Sequence, residues 1–299
     1  MRHLEQGGAR ELVDAATSVL DAVGIENARL DAELMLGAAS GRSRTDILLG
    51  NLTLDAIVRQ KFAAMVERRH LREPLAYILG HKEFYSIELE VTSAVLIPRP
   101  ETEFVVGEAL RILSGQSKSR VLDLCTGSGA IALAITANAP QTKVVATDLS
   151  SAALKVAQSN VERLGLRDRV TFRQADGFDP IDSLGPLGRF NLIVSNPPYI
   201  PEADIDGLQP EVSRWEPRIA LDGGADGLAF YRRIANGLPT YLEKDGWVVV
   251  EVGAGQADAA SRIFRESGIG TIATIPDLSG IPRVVSGHAS AVGRPPSIR

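Results

Sequence analysis

The chain has 299 residues, 44% of them hydrophobic, which is enough to bury a sizeable core and suggests two domains. Its net charge of −5 and pI near 5.5 argue against a broad nucleic-acid surface; no apolar run approaches the ~20 residues of a membrane span, and Met1 to Arg10 lack the apolar stretch of a secretory signal. The single cysteine, Cys125, cannot close an internal disulfide and no Cys/His cluster has metal-ligand spacing, so a cytoplasmic protein without a metal is expected.

Residues 9 to about 80 read as helices. Leu12, Ala16, Val19, Leu20 and Val23 recur at helical spacing, and Leu54, Ile57, Val58 and Met65 do so farther on. This predicts a small α-helical bundle over residues 1–80, whose ten Lys/Arg and eleven Asp/Glu leave it close to neutral. A DNA-binding arm is usually more basic. Tyr85, Ile87, Leu89 and Val91 then alternate with Ser86, Glu88 and Glu90, the period of a half-buried strand, so residues 81–97 are expected to form a linking β-hairpin. In Pro98-Arg99-Pro100-Glu101-Thr102-Glu103 the prolines impose an extended approach, and the acids fall in the first turn of a helix running toward Ser114.

From Arg120 onward strands alternate with helices. Val121–Leu124, Lys143–Thr147, Val170–Gln174, Phe190–Ser195 and Gly246–Val252 are short apolar strands, with helical stretches at Ala130–Ala139, Ser151–Leu164 and Asp226–Asn236. Such alternation predicts an α/β domain over residues 98–286, with a mostly parallel sheet covered on both faces and ligands held beyond the carboxyl ends of its strands. Residues 287–299 are small, polar and Pro-containing, and are expected to be a disordered tail.

Two strand ends carry the chemistry. Asp123-Leu124-Cys125-Thr126-Gly127-Ser128-Gly129 joins the first of these strands to its helix, where glycines allow close approach of a ligand and the helix N-terminus offers N–H groups to a carboxylate. Asp148 ends the next strand, where a carboxylate can accept both hydroxyls of a ribose, and Asp176 follows the third, where one can take an adenine amino hydrogen, although each acid taken alone fits a helix cap equally well. The three-glycine pyrophosphate fingerprint is missing, which favours S-adenosyl-L-methionine over a dinucleotide. The second strand end is Asn196-Pro197-Pro198-Tyr199. Neither proline has an N–H, so the turn presents its carbonyls and the Asn196 side chain as acceptors for a planar NH2 group, which points to methyl transfer onto an amide or amino nitrogen.

With these residues in hand, the chain resembles the release-factor glutamine methyltransferases, the HemK/PrmC-type family of class I S-adenosylmethionine enzymes. The resemblance takes in the helical N-terminus, Pro98 to Glu103, Asp123 to Gly129, and Asn196 to Ile200. It continues through Glu216-Pro217, Ala220-Leu221, Asp226-Gly227-Leu228, Tyr231-Arg232, and Asp277 with Gly280 and Arg283. It implies a Rossmann-like, seven-stranded methyltransferase sheet, preceded by a helical domain that docks peptide chain release factors as protein substrate. It also implies cofactor binding by Cys125, Thr126, Gly127, Ser128, Gly129, Asp148, Asp176, Gly177 and Asn196. Substrate glutamine falls to Asn196, Pro197, Pro198 and Tyr199, with Asn196, Pro197 and Tyr199 catalytic. A monomer with no nucleic-acid or membrane partner is expected. Two residues depart from the family pattern. Gly177 stands where an aromatic residue is often found, so that the stacking either passes to Phe178 or is missing, and Cys125 stands for a glycine, which ordinary backbone angles would allow.

Three other readings compete. A ribosomal-protein glutamine methyltransferase shares the amide chemistry, and Pro98 to Glu103 favours the release-factor branch over it. An adenine-N6 DNA methyltransferase also uses Asn-Pro-Pro-Tyr, but should bring a recognition domain and a basic groove. A noncatalytic binding module need not keep Asn196, both acids and the glycine loop together. Glu251, ending an apolar strand, could approach the cofactor or serve as a cap, while Trp215 and Trp247 read as packing residues.

Overall fold

The computed structural model describes residues 8–49, 53–116, 118–179 and 188–289. The chain divides into two compact units: residues up to His81 together with Gln209–Trp215, and Lys82–Leu208 together with the chain from Glu216 on.

The first unit is the expected helical bundle, with α1 (Ala9–Asp21), α2 (Ala28–Ser40), α3 (Arg44–Leu49), α4 (Ala56–His70) and α5 (Leu75–Leu79). Leu12, Ala16 and Leu20 of α1 pack with Ala32, Met35 and Leu36 of α2 in one cluster. Of the apolar residues expected to face the core around α4, Leu54, Val58 and Met65 pack on it and Ile57 does not. Asp55 caps this helix by accepting from Val58 N at 2.8 Å, which fixes its start and leaves Ile57 64% exposed in the first turn. Phe62 and Val66, one turn apart, complete the buried face.

In the second unit, β1 (His81–Phe84) and β2 (Ile87–Glu90) make the hairpin. Tyr85 and Ser86 are not strand residues as their alternation suggested. Both have positive φ, 48° and 61°, and form its turn. A 3-10 turn, Pro100–Thr102, leads into α6 (Glu103–Leu113). There follow β3 (Ser119–Leu124), α7 (Ala130–Asn138), β4 (Thr142–Asp148), α8 (Ser151–Arg163), β5 (Val170–Gln174) and β6 (Phe190–Ser195). The connection after β6 carries α9 (Pro210–Ser213), which belongs to the first unit. The chain then forms α10 (Ala229–Tyr241), β7 (Leu242–Glu251), α11 (Ala257–Glu266), β8 (Thr271–Pro276) and β9 (Pro282–His288).

Among the described residues seven strands form the main sheet in the order β5-β4-β3-β6-β7-β9-β8, parallel except for β9, which runs antiparallel to β7 and β8. Its apolar strands are covered on both faces. Val121, Leu192 and Val249 pack with α6 and α7, while Leu122, Ile193 and Val250 pack with α10 and α11. Gly287 and His288, placed in the tail by composition, are strand residues paired with β7 and β8. Residues 290–299 of that expected tail lie outside the described residues. The chain order turns back between β3 and β6, so the carboxyl ends of these two neighbours flank the crevice where such sheets bind ligands.

Glu211 of α9 shows why Gln209–Trp215 groups with the bundle. Its carboxylate accepts from Arg69 Nη1 at 3.0 Å and Arg72 Nη2 at 2.6 Å, and Arg69 Nε reaches Asp31 at 2.7 Å. Arg69 and Asp31 are both buried, so each neutralises a charge that would otherwise be costly to hide.

Candidate active site

Leu124 and Ser195 are register partners at the ends of β3 and β6, and Ser195 Oγ donates to Leu124 O at 2.7 Å. The two sequence motifs therefore leave the sheet side by side. Cys125 has φ of +59°, so it occupies the left-handed region rather than the ordinary angles expected of a side chain there. Burial pushes its thiol pKa upward, which keeps it from acting as a thiolate. Gly127, at φ +56°, has open space where a Cβ would stand, so its backbone is accessible to a ligand. Gly129, at φ +85°, starts α7, and a Cβ there would meet Leu133 and Ala157, so this glycine serves packing rather than the cavity wall.

Asp123 lies fully buried beneath the loop. Its Oδ2 accepts from Thr126 Oγ1 at 2.6 Å and Ala132 N at 3.2 Å, and its Oδ1 has no partner. Burial pushes this carboxyl up to about 7. Asp148 accepts from Gly127 N and Ser150 N, each at 2.9 Å, and so ties the glycine loop to the end of β4. Burial raises its pKa too.

A cavity of about 880 Å³, including its open mouth, runs along Thr126, Gly127, Asp148, Asp176, Asn196 and Thr102. Cys125, Ser128, Gly177 and Pro198 also line it. Asp176 Oδ1 sits 2.7 Å from Arg233, whose guanidinium lies over the Phe230 ring at 5.2 Å. Phe178 does not fill the gap at Gly177. It stacks on Tyr241 with ring centres 4.9 Å apart, in a space kept open by Gly237, and the aromatic that does line the cavity is Phe230 of α10.

Pro197 and Tyr199 stand behind the cavity wall rather than on it. Tyr199 is clamped: its carbonyl accepts from Gln256 Nε2 at 2.8 Å, and Gly223 and Gly227 approach its backbone so closely that a Cβ on either would collide. Its hydroxyl donates to Glu251 Oε1 at 3.1 Å, and Thr102 Oγ1 donates to Glu251 Oε2 at 2.6 Å. Asn196 Nδ2 in turn donates to Thr102 Oγ1 at 3.0 Å. Glu251 thus anchors Tyr199 directly and Asn196 through Thr102. Arg99 pairs with buried Glu216 at 2.5 Å, and Ile97 N donates to the same carboxylate at 3.3 Å, which fixes the Pro98–Pro100 approach.

Residues 11–80 match the family model described as PrmC N-terminal domain, and residues 108–208 match the methyltransferase small domain. A release factor glutamine methyltransferase of Geobacter sulfurreducens is 44% identical over 280 residues, which cover 93% of this chain and 96% of that relative. Another, of Caulobacter vibrioides, is 41% identical over 282 residues, 94% of this chain and 96% of its own. Among solved structures, the human hMettl16 catalytic domain in complex with a 3′UTR hairpin aligns with a TM-score of 0.56 at 16% identity, over 78% of this chain and 84% of that one, a likeness of fold alone. The sheet is accordingly that of the class I S-adenosylmethionine-dependent methyltransferases. Identity of this order extends over nearly the whole of both chains, and by it this chain belongs to the release factor glutamine methyltransferase family.

Proposed function

We propose that this protein transfers the methyl group of S-adenosylmethionine to the side-chain amide nitrogen of the glutamine in the Gly-Gly-Gln motif of peptide chain release factors. The observation that carries the reading is the placement of Asn196 beside the glycine loop, on a cavity wall shared with Asp148. Family membership supports it.

The residues present fit the cofactor. The cavity brings the glycine loop, the acid at the end of β4 and an apolar wall together around one space. Gly127 leaves its backbone open, and α7 begins at the same loop, where free N–H groups favour the carboxylate of an amino acid. Asp148 has lone pairs beyond those used by Gly127 and Ser150 for ribose hydroxyls. Phe230, Leu149 and Ala175 give an apolar wall for a base. When bound, the cofactor supplies an electrophilic methyl group on a sulfonium.

A glutamine amide nitrogen is a poor nucleophile because its lone pair is delocalised into the carbonyl, so positioning supplies much of the catalysis. Asn196 Oδ1, on the cavity wall, accepts one amide hydrogen, which aims the nitrogen at the methyl carbon and stabilises the positive charge that develops there. Held against Gly127, Asp148 and Phe230, the cofactor would give up its methyl and keep the sulfur as a neutral thioether, while the alkylated amide nitrogen would lose its proton to water. No general base is required. The helical unit, near neutral in charge, selects the release factor.

Incubation with labelled cofactor and purified release factor, ribosomal protein or DNA, followed by mass spectrometry of the product, tests the proposal. The methyl is expected on the glutamine of Gly-Gly-Gln. Transfer to a ribosomal protein alone would reassign the substrate, and transfer to DNA would reassign the chemistry.

A further inference from the structure

Glu251 is 1% exposed, and methyl transfer as described above makes no use of it. A buried carboxylate is costly unless its lone pairs are filled. Here two hydroxyls fill them, Thr102 Oγ1 at 2.6 Å and Tyr199 Oη at 3.1 Å. Thr102 has one hydroxyl proton, and an ionised carboxylate can only accept. With that proton committed to Glu251, Thr102 Oγ1 has only lone pairs to offer Asn196, 3.0 Å away. Asn196 must then turn its NH2 toward Thr102, which leaves Oδ1, the other arm of the planar amide, for a ligand in the cavity.

We propose that Thr102 and Glu251 are positioning residues: the ionised carboxylate, acting through the Thr102 hydroxyl, sets which end of the Asn196 amide meets the substrate. This rests on the reading of Asn196 as the acceptor of the glutamine amide. The second oxygen of Glu251 holds Tyr199, so one carboxylate fixes both ends of the Asn-Pro-Pro-Tyr turn.

The arrangement depends on charge. A protonated Glu251 donates to Thr102, whose own proton then turns to Asn196 and favours the flipped amide. The NH2 of Asn196 would then oppose the NH2 of the substrate, two donors with no acceptor between them. Glu101 and Thr102 face the carboxyl from the 3-10 turn, Tyr199 from the loop after β6, and Arg283 from β9. Burial outweighs the hydroxyl bonds and pushes Glu251 up to about 7, so the change falls within an accessible pH range.

The test uses the full-length protein and full-length release factor, with kcat and KM measured between about pH 6 and 8.5 and cofactor affinity measured by titration. Wild-type kcat is expected to fall below about pH 7. Thr102→Val should lower kcat at about pH 8 roughly tenfold, the worth of one hydrogen bond, with cofactor affinity unchanged and the acid limb gone. Thr102→Ser should keep both the rate and the limb, and Glu251→Gln should show no limb. In cofactor-free protein, the side-chain amide NMR signals of Asn196, identified by their loss in Asn196→Ala, should shift with pH in wild type and stay fixed in Thr102→Val. A Thr102→Val enzyme with wild-type kcat and acid limb overturns the proposal. So does a Thr102→Ser enzyme as slow as Thr102→Val, or an Asn196 signal blind to pH. If wild type leaves glutamine unmethylated, the proposed activity itself fails, and the NMR signals alone decide this inference.

Discussion

Cys125 stands at φ +59°, a conformation that costs a side-chain-bearing residue about 1–2 kcal/mol and a glycine almost nothing. Replacing it by glycine relieves that strain but loosens the unfolded chain by about 0.5–1 kcal/mol, so Cys125→Gly should hold or slightly raise the unfolding temperature. Cys125→Val, branched at Cβ, should lower it, and thermal unfolding of both variants checks the sign. Asn196 makes the companion case for chemistry. Asn196→Ala should reduce turnover roughly 10²-fold or more while leaving cofactor affinity nearly unchanged, as single-turnover and titration measurements would show. Asn196 and Asp148 were legible because each ends an apolar strand within a compact motif. Glu251 and Thr102 were not. Their bond spans 149 residues, and no local pattern marks a carboxylate that will meet a hydroxyl across the fold. The left-handed angle at Cys125 was hidden for a different reason: the glycine that would have announced it is missing.

At the scale of elements, α8 does more than cover the sheet. Asn160 is fully buried, and its side chain donates to Glu90 O and Ser128 O, each at 3.0 Å, while accepting from Glu90 N at 2.7 Å. One amide thus latches the hairpin strand β2 to the cofactor loop. Asn160→Ala orphans these groups and should cost about 2–4 kcal/mol in urea unfolding, with weaker cofactor binding as the Ser128 loop loosens. In the bundle, Arg69→Met strands Asp31 as a buried charge and should cost about 3–5 kcal/mol. The strands at the centre of the sheet were readable because both their faces are buried and their residues run apolar. The last three elements escaped. The residues of β8 are exposed or half-buried along its whole length. The buried face of α11 is Ala257, Ala260, Ser261 and Phe264, correct in helical spacing, but three of the four are too small to signal a core.

Burial raises several carboxyls, and Asp123 and Glu251, both pushed up to about 7, contribute most clearly to the pH response of the molecule. Asp123 and Glu251 hold their protons up to about 7 when folded, whereas the unfolded chain releases them near pH 4. Between those values the folded state binds more protons, so stability falls as pH rises and levels off above about 7. Without cofactor, the unfolding temperature at about pH 8 should lie several degrees below that at pH 5.5, and Asp123→Asn with Glu251→Gln should flatten the slope. Activity should run the other way, since Asn196 is oriented by the ionised form of Glu251. Removal of residues 1–80 is expected to leave a protein that binds cofactor yet methylates release factor poorly; full activity in such a soluble truncation would refute selection by the helical unit. That unit is also discontinuous in sequence, because Glu211 closes its arginine pair from far downstream. A single recombination crossover near residue 81 would set a newcomer's arginines against an incumbent glutamate. A transplant of the helical unit would therefore have to carry residues 209–215 along with the N-terminal stretch to keep Glu211 with its own arginines.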